Sequence, residues 1–328
     1  MTLLLSRKDV ESVLKMQDCL AAVETAFGEL ARGKANMPQR SVIRVSEHKG
    51  LFLGMPAYIG GDLNALGLKV VTVYPDNPTQ HDLPTTLGTL MFCDPATGKA
   101  IAIMDAGYLT AVRTGAASGV ATKYLARDES KTCVVFGAGV QARKQLEALK
   151  IVRPIEKVYV LDVVPEAKER FAADMSAELG LDITPTDDAQ SALNEADIVV
   201  TASSSHDPVF DGNWLKPGTH INNIGSHSPD ARELDTTAVA RSKFVADLRE
   251  ANLAEAGDIL IPIKEEAVTE DHIYASLGEI VVGTKPGREN SEEITIFKSC
   301  GLAIQDVSTA SAVYKAARER GVGTEVEL

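Results

Sequence analysis

The chain reads as an α/β protein, a Rossmann-type doubly wound parallel sheet joined to an α+β part. Three observations predict this. A short apolar, β-branched run ends in a Gly-x-Gly-x-x-Ala turn at residues 137–142. Beyond that turn, stretches with strand and helix character alternate. Before it, the first hundred residues carry short strand-like runs set apart by turn residues.

Cys133 to Phe136 suits a strand buried on both faces. Gly137 permits the tight turn that follows, Gly139 lets backbone approach a pyrophosphate, and Ala142 lets helix pack on strand. Free N–H groups and the dipole at the helix start favour phosphate charge. Gly137, Ala138, Gly139, Val140 and Gln141 are therefore candidate cofactor contacts. Val158 to Leu161 is a second strand, ending in Asp162 and followed by Val163. An acid at that strand end accepts hydrogen bonds from both ribose hydroxyls and repels a 2′-phosphate, which favours NAD over NADP.

Taken in order, Ser6 is a helix N-cap with Asp9 three residues on, Ala21 to Ala31 continues as helix, and Gly33 stops it. Ser41–Val45, Leu51–Met55 and Leu68–Val73 are strands, with turns at Gly50, Gly60-Gly61 and Pro75 to Pro78. Leu87–Phe92 and Ala100–Met104 form a hairpin around Asp94 to Gly98, so the first part is expected to hold an antiparallel sheet. Thr110 to Leu125, rich in Ala and Gly, is a tightly packed connecting helix, and Arg127 to Ser130 is a polar hinge candidate. Ala189–Glu195 is a helix; Asp197–Thr201, Thr219–Ile224 and Phe244–Asp247 are strands of the parallel sheet; Ala303–Arg318 is a final helix before a short mixed tail.

A length of 328 residues is room for two domains of roughly 100–200 residues each. Hydrophobic content of 45% with 24% charged residues places the chain among ordinary globular proteins. A net charge of −13 argues against nucleic acid or an anionic membrane as partner, though not against an anionic substrate in a locally basic site. The three leucines near the N-terminus are too few for a signal peptide, and no apolar run is long enough to span a membrane. Cys19, Cys93, Cys133 and Cys300 lack CxxC spacing and are expected to be reduced thiols in a cytoplasmic protein. The six histidines show no metal-ligand spacing, so no metal is expected.

Several residues could carry chemistry. Lys69 interrupts an otherwise apolar strand, so it either faces out or is held inside, where burial lowers an amine's pKa and suits it to proton transfer. Arg113 heads a helix of small residues and is either a structural ion-pair partner or a planar fork for a carboxylate. Arg40 by itself reads as a surface arginine. Thr201, Ala202 and Ser203 lead a strand into a hydroxyl-rich loop beside the cofactor edge. Ile224 and Gly225 end another strand at the carboxyl edge of the sheet, and His227 follows in the loop, able to trade a proton near neutral pH.

Nearly end to end, the chain resembles the ornithine cyclodeaminase/mu-crystallin family. The resemblance runs through Met55-Pro56-Ala57, Gly67-Leu68-Lys69, Leu83-Pro84-Thr85, Met104-Asp105, Arg113-Thr114-Gly115 and the glycine turn. It continues through Pro217 to Asn222, Arg232 to Asp235, Leu277-Gly278-Glu279 and Thr295 to Asp306. It implies a homodimer with an α+β substrate-binding and dimerisation domain, residues 1–115 plus 303–328, and an NAD-binding Rossmann domain, residues 116–302. It places Arg40, Lys69 and Arg113 at carboxylate-binding and proton-transfer positions, Thr85 on the substrate side, Thr114 at a phosphate contact and Ser299 among the cofactor contacts. Two departures stand out. Cyclodeaminases carry an acid two residues before Met-Pro, where Leu53 stands here, and an Asp in the glycine turn where His227 stands. Losing the acid disfavours a substrate with a distal ammonium. The turn without Asp is shared with mu-crystallin and ketimine reductases, whereas Asp162 is closer to the alanine dehydrogenases.

The expected function is an NAD-dependent oxidoreductase acting at the Cα–N bond of a small α-amino or α-imino acid, like alanine dehydrogenase or a pyrroline-2-carboxylate (ketimine) reductase. Lys69 and His227 are the candidate catalytic residues. Arg40, Lys69, Thr85, Arg113 and His227 are the candidate substrate contacts. The alternatives are an ammonia-eliminating ornithine cyclodeaminase that recycles NAD, and a non-catalytic nucleotide-binding protein like mu-crystallin.

Overall fold

The computed structural model describes residues 1–328, which divide into two units: Met1–Arg113 with Leu302–Leu328, and Thr114–Gly301. The first unit opens with strand β1 (Thr2–Leu5) and helices α1 (Arg7–Val13) and α2 (Met16–Ala31). Ser6 caps α1 as expected: its hydroxyl accepts from Asp9 N, and its own amide donates to the Asp9 carboxylate. Strands β2 (Ala35–Asn36), β3 (Ser41–Val45), β4 (Gly50–Ile59) and β5 (Ala65–Val73) follow. The single-turn helix α3 (Asn77–Gln80) occupies the stretch expected to be a plain turn. Strands β6 (Thr86–Cys93) and β7 (Ala100–Asp105) form the expected hairpin, and α4 (Gly107–Leu125) runs on through the unit boundary.

The sheet of this unit departs from the antiparallel expectation. Its order is β16-β1-β7-β6-β5-β4-β2 with β3 on β4, and β1 pairs with β7 in parallel. Strand β16 (Thr324–Val326) lies in the tail that reads as irregular and pairs antiparallel with β1. Three edge residues with one apolar side chain leave no period-2 signal, so only the pairing reveals the strand. Gly50 is likewise not a turn. The turn is at 46–49, with Lys49 at φ +50°, and Gly50 opens β4 where a Cβ would sit 2.5 Å from the Tyr74 ring.

One face of this sheet packs on α1, α2 and the last helix, α12 (Ala303–Arg320), which crosses β4, β5 and β6. On β5, burial alternates so that Ala65, Gly67, Lys69 and Val71 face the helices. The opposite face is apolar. Cross-strand neighbours Leu4, Ile103, Met91, Leu68 and Pro56 form one row across it, and Ile43, Phe52, Thr72 and Leu87 another. Leu4, Ile43, Phe52, Leu87 and Met91 are each more than a third exposed.

The second unit is built on β8 (Thr132–Phe136), α5 (Val140–Val152), β9 (Lys157–Leu161), α6 (Pro165–Leu179), β10 (Asp182–Pro185) and α7 (Ala189–Glu195). After these come β11 (Ile198–Thr201), β12 (His220–Asn223), α8 (Thr236–Ala240), β13 (Ser242–Ala246), α9 (Arg249–Glu255) and α10 (Gly257–Lys264). Strand β14 (Ile273–Ser276), helix α11 (Leu277–Val281) and strand β15 (Ile294–Lys298) complete it. All eight strands are parallel, in the order β10-β9-β8-β11-β12-β15-β13-β14. Both faces are covered. Cys133, Val135, Val158 and Ile198 pack with Leu146 and Phe171 on one side, while Val134, Phe136, Val199 and Ile221 pack with Leu234 and Ile259 on the other.

The stretch 127–130, read as a hinge candidate, lies inside the second unit and is tied into it. Ser130 N donates to Arg127 O, and Arg127 Nη2 meets Asp197 Oδ1 at 2.7 Å. Asp197 precedes β11 instead of belonging to it, and its other oxygen accepts from the amides of Lys131 and Thr132. No helix is long and apolar enough to cross a membrane.

Phe171 is fully buried in one of the two face clusters. Phe171→Ala is expected to cost about 3–5 kcal/mol, read as a lowered urea midpoint with an unchanged slope.

Candidate functional site

In the first unit the site is organised by a single carboxylate. Lys69 is at the centre of β5, opposite Met55 on β4 and Leu90 on β6, and is 1% exposed. Its Nζ lies 2.8 Å from Asp306 Oδ2, in the first turn of α12. Arg113, buried on α4, approaches the other oxygen, with Nε 2.9 Å from Asp306 Oδ1. Its Nη1 donates to Gln305 Oε1 at 2.6 Å, and Nη2 takes part in neither bond. Gln305 is fully buried and its Nε2 has no partner. Gly67 allows this arrangement, since a Cβ there would crowd Met91 O at 3.0 Å and Val307 Cγ2, on α12, at 3.2 Å.

Burial pushes the Lys69 ammonium down to about 8. Asp306 opposes this fall, while Arg113 and Arg40 add to it by like-charge repulsion. Arg40, half-buried just before β3, is therefore electrically part of the cluster. Two buried cations, Lys69 and Arg113, share one carboxylate, so the buried cluster keeps an excess of positive charge. Thr85 is exposed, and its carbonyl accepts from Tyr74 N.

In the second unit the glycine turn joins β8 to α5. Gly137 has φ +98°, and a Cβ there would fall 2.6 Å from Ala202 O, so both conformation and space require glycine. Gly139 is the N-cap of α5; no side chain caps the helix, and the space beside its Cα is open. Val140 and Gln141 begin the helix. Asp162 ties the turn to the end of β9, accepting from Ala138 N at 2.8 Å and from Val164 N at 2.9 Å through different oxygens. Each oxygen keeps acceptor capacity for another donor. Val163 beside it is 98% exposed.

Thr114 is buried, and its carbonyl accepts from Gln145 Nε2. Thr201 Oγ1 accepts from Asn223 Nδ2 at 2.8 Å. Ser203 donates through both N and Oγ to Glu233, as does Gly225 through N, while Ile224 N pairs with Thr201 O. Ser299 Oγ donates to Asp247 Oδ2, and His227 is exposed in the loop after β12. The structure thus brings Lys69, Arg113 and Arg40 together in one unit and gathers the glycine turn, Asp162, Ser203 and Gly225 on the carboxyl edge of the other unit's sheet.

Sequence reasoning passed over the buried acids that hold these groups: Asp306 with Gln305, and Glu233, Asp247 and Asp258 with Lys298. A signal existed for the first. A lysine inside an apolar strand needs a counter-ion, and Asp306 opens a helix of mostly small and apolar residues.

A two-unit chain with an all-parallel dinucleotide-type sheet and a separate buried cationic cluster defines a class of nucleotide-dependent enzymes acting on small anions. The ornithine cyclodeaminase/mu-crystallin family model matches residues 1–321, and the chain belongs to that family. It is 40% identical to a Delta(1)-pyrroline-2-carboxylate reductase of Bacillus thuringiensis subsp. konkukian, over 99% of this chain and 100% of that protein. Among solved structures it is similar to the Delta(1)-pyrroline-2-carboxylate reductase of Thermococcus litoralis in complex with NADH and L-proline. That match has 50% identity and a TM-score of 0.95, covering 99% of this chain and 100% of that one. An archaeal alanine dehydrogenase dimer with bound NAD is 38% identical with a TM-score of 0.94, covering 100% and 99%.

Removing the shared carboxylate strands two buried cations. Asp306→Ala is expected to destabilise the protein by about 3–5 kcal/mol, measured by chemical denaturation at neutral pH.

Proposed function

We propose that this protein is an NAD-dependent oxidoreductase that interconverts a small cyclic or short-chain α-imino acid and its α-amino acid. The observation that carries this is the buried cluster in which Lys69 and Arg113 share Asp306 and keep a net positive charge. Arg113 Nη2 and Arg40 receive the substrate's α-carboxylate, which fixes Cα. Lys69 Nζ delivers the proton that the imine nitrogen gains on reduction and takes it back on oxidation. The substrate's side chain meets Leu53 and Val71, which pair across β4 and β5 on the face that carries Lys69. That wall offers an ammonium no partner, which argues against ornithine or lysine.

The residues of the second unit fit an NAD. The uncapped start of α5 with the open Gly139 suits a pyrophosphate, Asp162 suits ribose hydroxyls, and the exposed Val163 offers apolar surface to a base. A bound nicotinamide supplies or accepts the hydride. Thr114, Thr201, Ala202, Ser203, Ile224 and Ser299 are the further cofactor-side candidates, Thr85 a substrate-side one, and His227 an auxiliary near the imine nitrogen. In the two-domain assignment, the first unit carries substrate and dimer contacts and the second carries NAD. The apolar outer face of the first unit's sheet suits a second copy of the chain, in keeping with the dimer described for the archaeal alanine dehydrogenase. The buried cysteines Cys19, Cys93 and Cys133, with half-buried Cys300, are all unbridged, which suits a reducing cytoplasm.

The deciding experiment assays pyrroline-2-carboxylate, pyruvate with ammonia, and ornithine, each with NADH or NADPH. Net NADH oxidation with an imine or with pyruvate and ammonia is expected. Proline formed from ornithine without net NADH change would overturn the assignment. Because reduction needs charged Lys69, kcat/KM for reduction should fall as pH rises through about 8, and that for oxidation should rise there. Lys69→Ala should abolish both limbs while leaving NADH affinity within about twofold; persisting turnover would remove Lys69 from the mechanism. Met91→Glu, in the centre of the apolar row, is expected to convert a dimer to a monomer in sedimentation. A wild-type monomer would refute the dimer.

A further inference from the structure

Glu233 lies in the loop between β12 and α8 and is fully buried. Its carboxylate accepts from four donors: Ser203 N and Ser203 Oγ, each at 2.7 Å, Gly225 N at 2.8 Å and Asn223 Nδ2 at 3.2 Å. Ser203 is the second residue past β11, and Gly225 the second past β12. One side chain therefore ties together the carboxyl ends of two adjacent parallel strands. The two loops also touch directly, since a Cβ on Gly225 would lie 2.3 Å from Ser203 O. Glu233 is itself held. Asp258 Oδ1 accepts from Glu233 N at 2.8 Å and from Leu234 N at 3.0 Å. Asp258 Oδ2 pairs with the buried Lys298 at 2.8 Å, and Lys298 Nζ also donates to Ser226 O.

The position of this network in the sheet gives it a function. The glycine turn follows β8. Asp162 follows β9 on one side of it, and β11 and β12 lie on the other. A dinucleotide laid across such a turn puts its adenosine half towards the strand-end acid and its nicotinamide half over the strands beyond. The loops that Glu233 fixes are on the nicotinamide side.

We propose that Glu233 is a positioning residue for the nicotinamide half of the cofactor, holding the Ser203 and Gly225 backbone in the shape that half requires without touching it. This rests on the dinucleotide assignment made above. The four donors need an acceptor at both oxygens. A glutamine of the same shape would turn one oxygen into a donor facing donors, and the loops would separate locally while the rest of the sheet stayed packed. None of the network's hydrogen bonds reaches Asp162, whose partners are Ala138 N and Val164 N, so the adenosine half should sense the change far less.

The experiment compares NADH with ADP, which lacks the nicotinamide half, on the full-length protein. NADH affinity is read from its fluorescence and ADP affinity by calorimetry. Glu233→Gln is expected to weaken NADH at least tenfold and to leave ADP within twofold, with Glu233→Asp, which keeps two acceptor oxygens, recovering part of the loss. Equal loss of both ligands, or unchanged NADH affinity, would overturn the proposal. If Glu233→Gln fails to fold, Ser203→Ala removes the hydroxyl, which donates to Glu233 and accepts from Ser205 N, and leaves the Ser203 amide on Glu233. It should weaken NADH severalfold with ADP unchanged, and unaltered NADH binding there would also overturn the proposal. If the unaltered protein bound neither ligand, the dinucleotide assignment would fall first and this proposal with it.

Discussion

The carboxylate of Asp306 is what allows two cations to remain inside the first unit. Its two oxygens lie 2.8 Å from Lys69 Nζ and 2.9 Å from Arg113 Nε, and all three groups are buried. Taking each ion out of water costs several kcal/mol, and a partner at contact distance offsets much of that. One carboxylate cannot neutralise two cations, still less the added field of Arg40. Burial lowers the affinity of Lys69 for its proton; Asp306 opposes the fall, and the like charges of Arg113 and Arg40 add to it. The helix that carries Asp306 is as much part of the cluster as the strand that carries Lys69.

The second unit uses buried acids differently. Glu233, Asp247 and Asp258 spend their oxygens mostly on backbone amides and neighbouring side chains at the carboxyl edge of the sheet. Asp247 alone accepts from Ser299 Oγ and from the amides of Leu248, Cys300 and Gly301. Loops at a sheet edge have amides with no ladder to join, and a charged acceptor binds several of them at once. The result is a set of fixed strand ends, as a cofactor with many contact points requires.

Much of this was legible beforehand. The glycine turn, its flanking strand and helix, and Asp162 form a local pattern whose spacing is dictated by covalent geometry, so the parallel sheet followed from the chain itself. The capping box at Ser6 and the hairpin around Asp94 are of the same kind. Strand β16, the parallel pairing of β1 and the true place of the turn before Gly50 were not legible. Each depends on a partner distant in sequence or on a side chain, Tyr74, that arrives from just beyond β5. Lys69 falls between these cases: its strand was evident, while its direction depended on which face the helices would cover.

By itself, the order of residues determined the elements, the nucleotide-type turn and the residue types available for chemistry, because these arise from periodicity and from contacts a few residues apart. Only the tertiary structure decided that Lys69 faces inward, that Asp306 meets it across 237 positions of chain, and that Glu233 joins two strand ends. The reason is electrostatic. A charge buried in a fold is tolerable only beside its partners, and those partners are chosen by packing in space, which sequence spacing does not record.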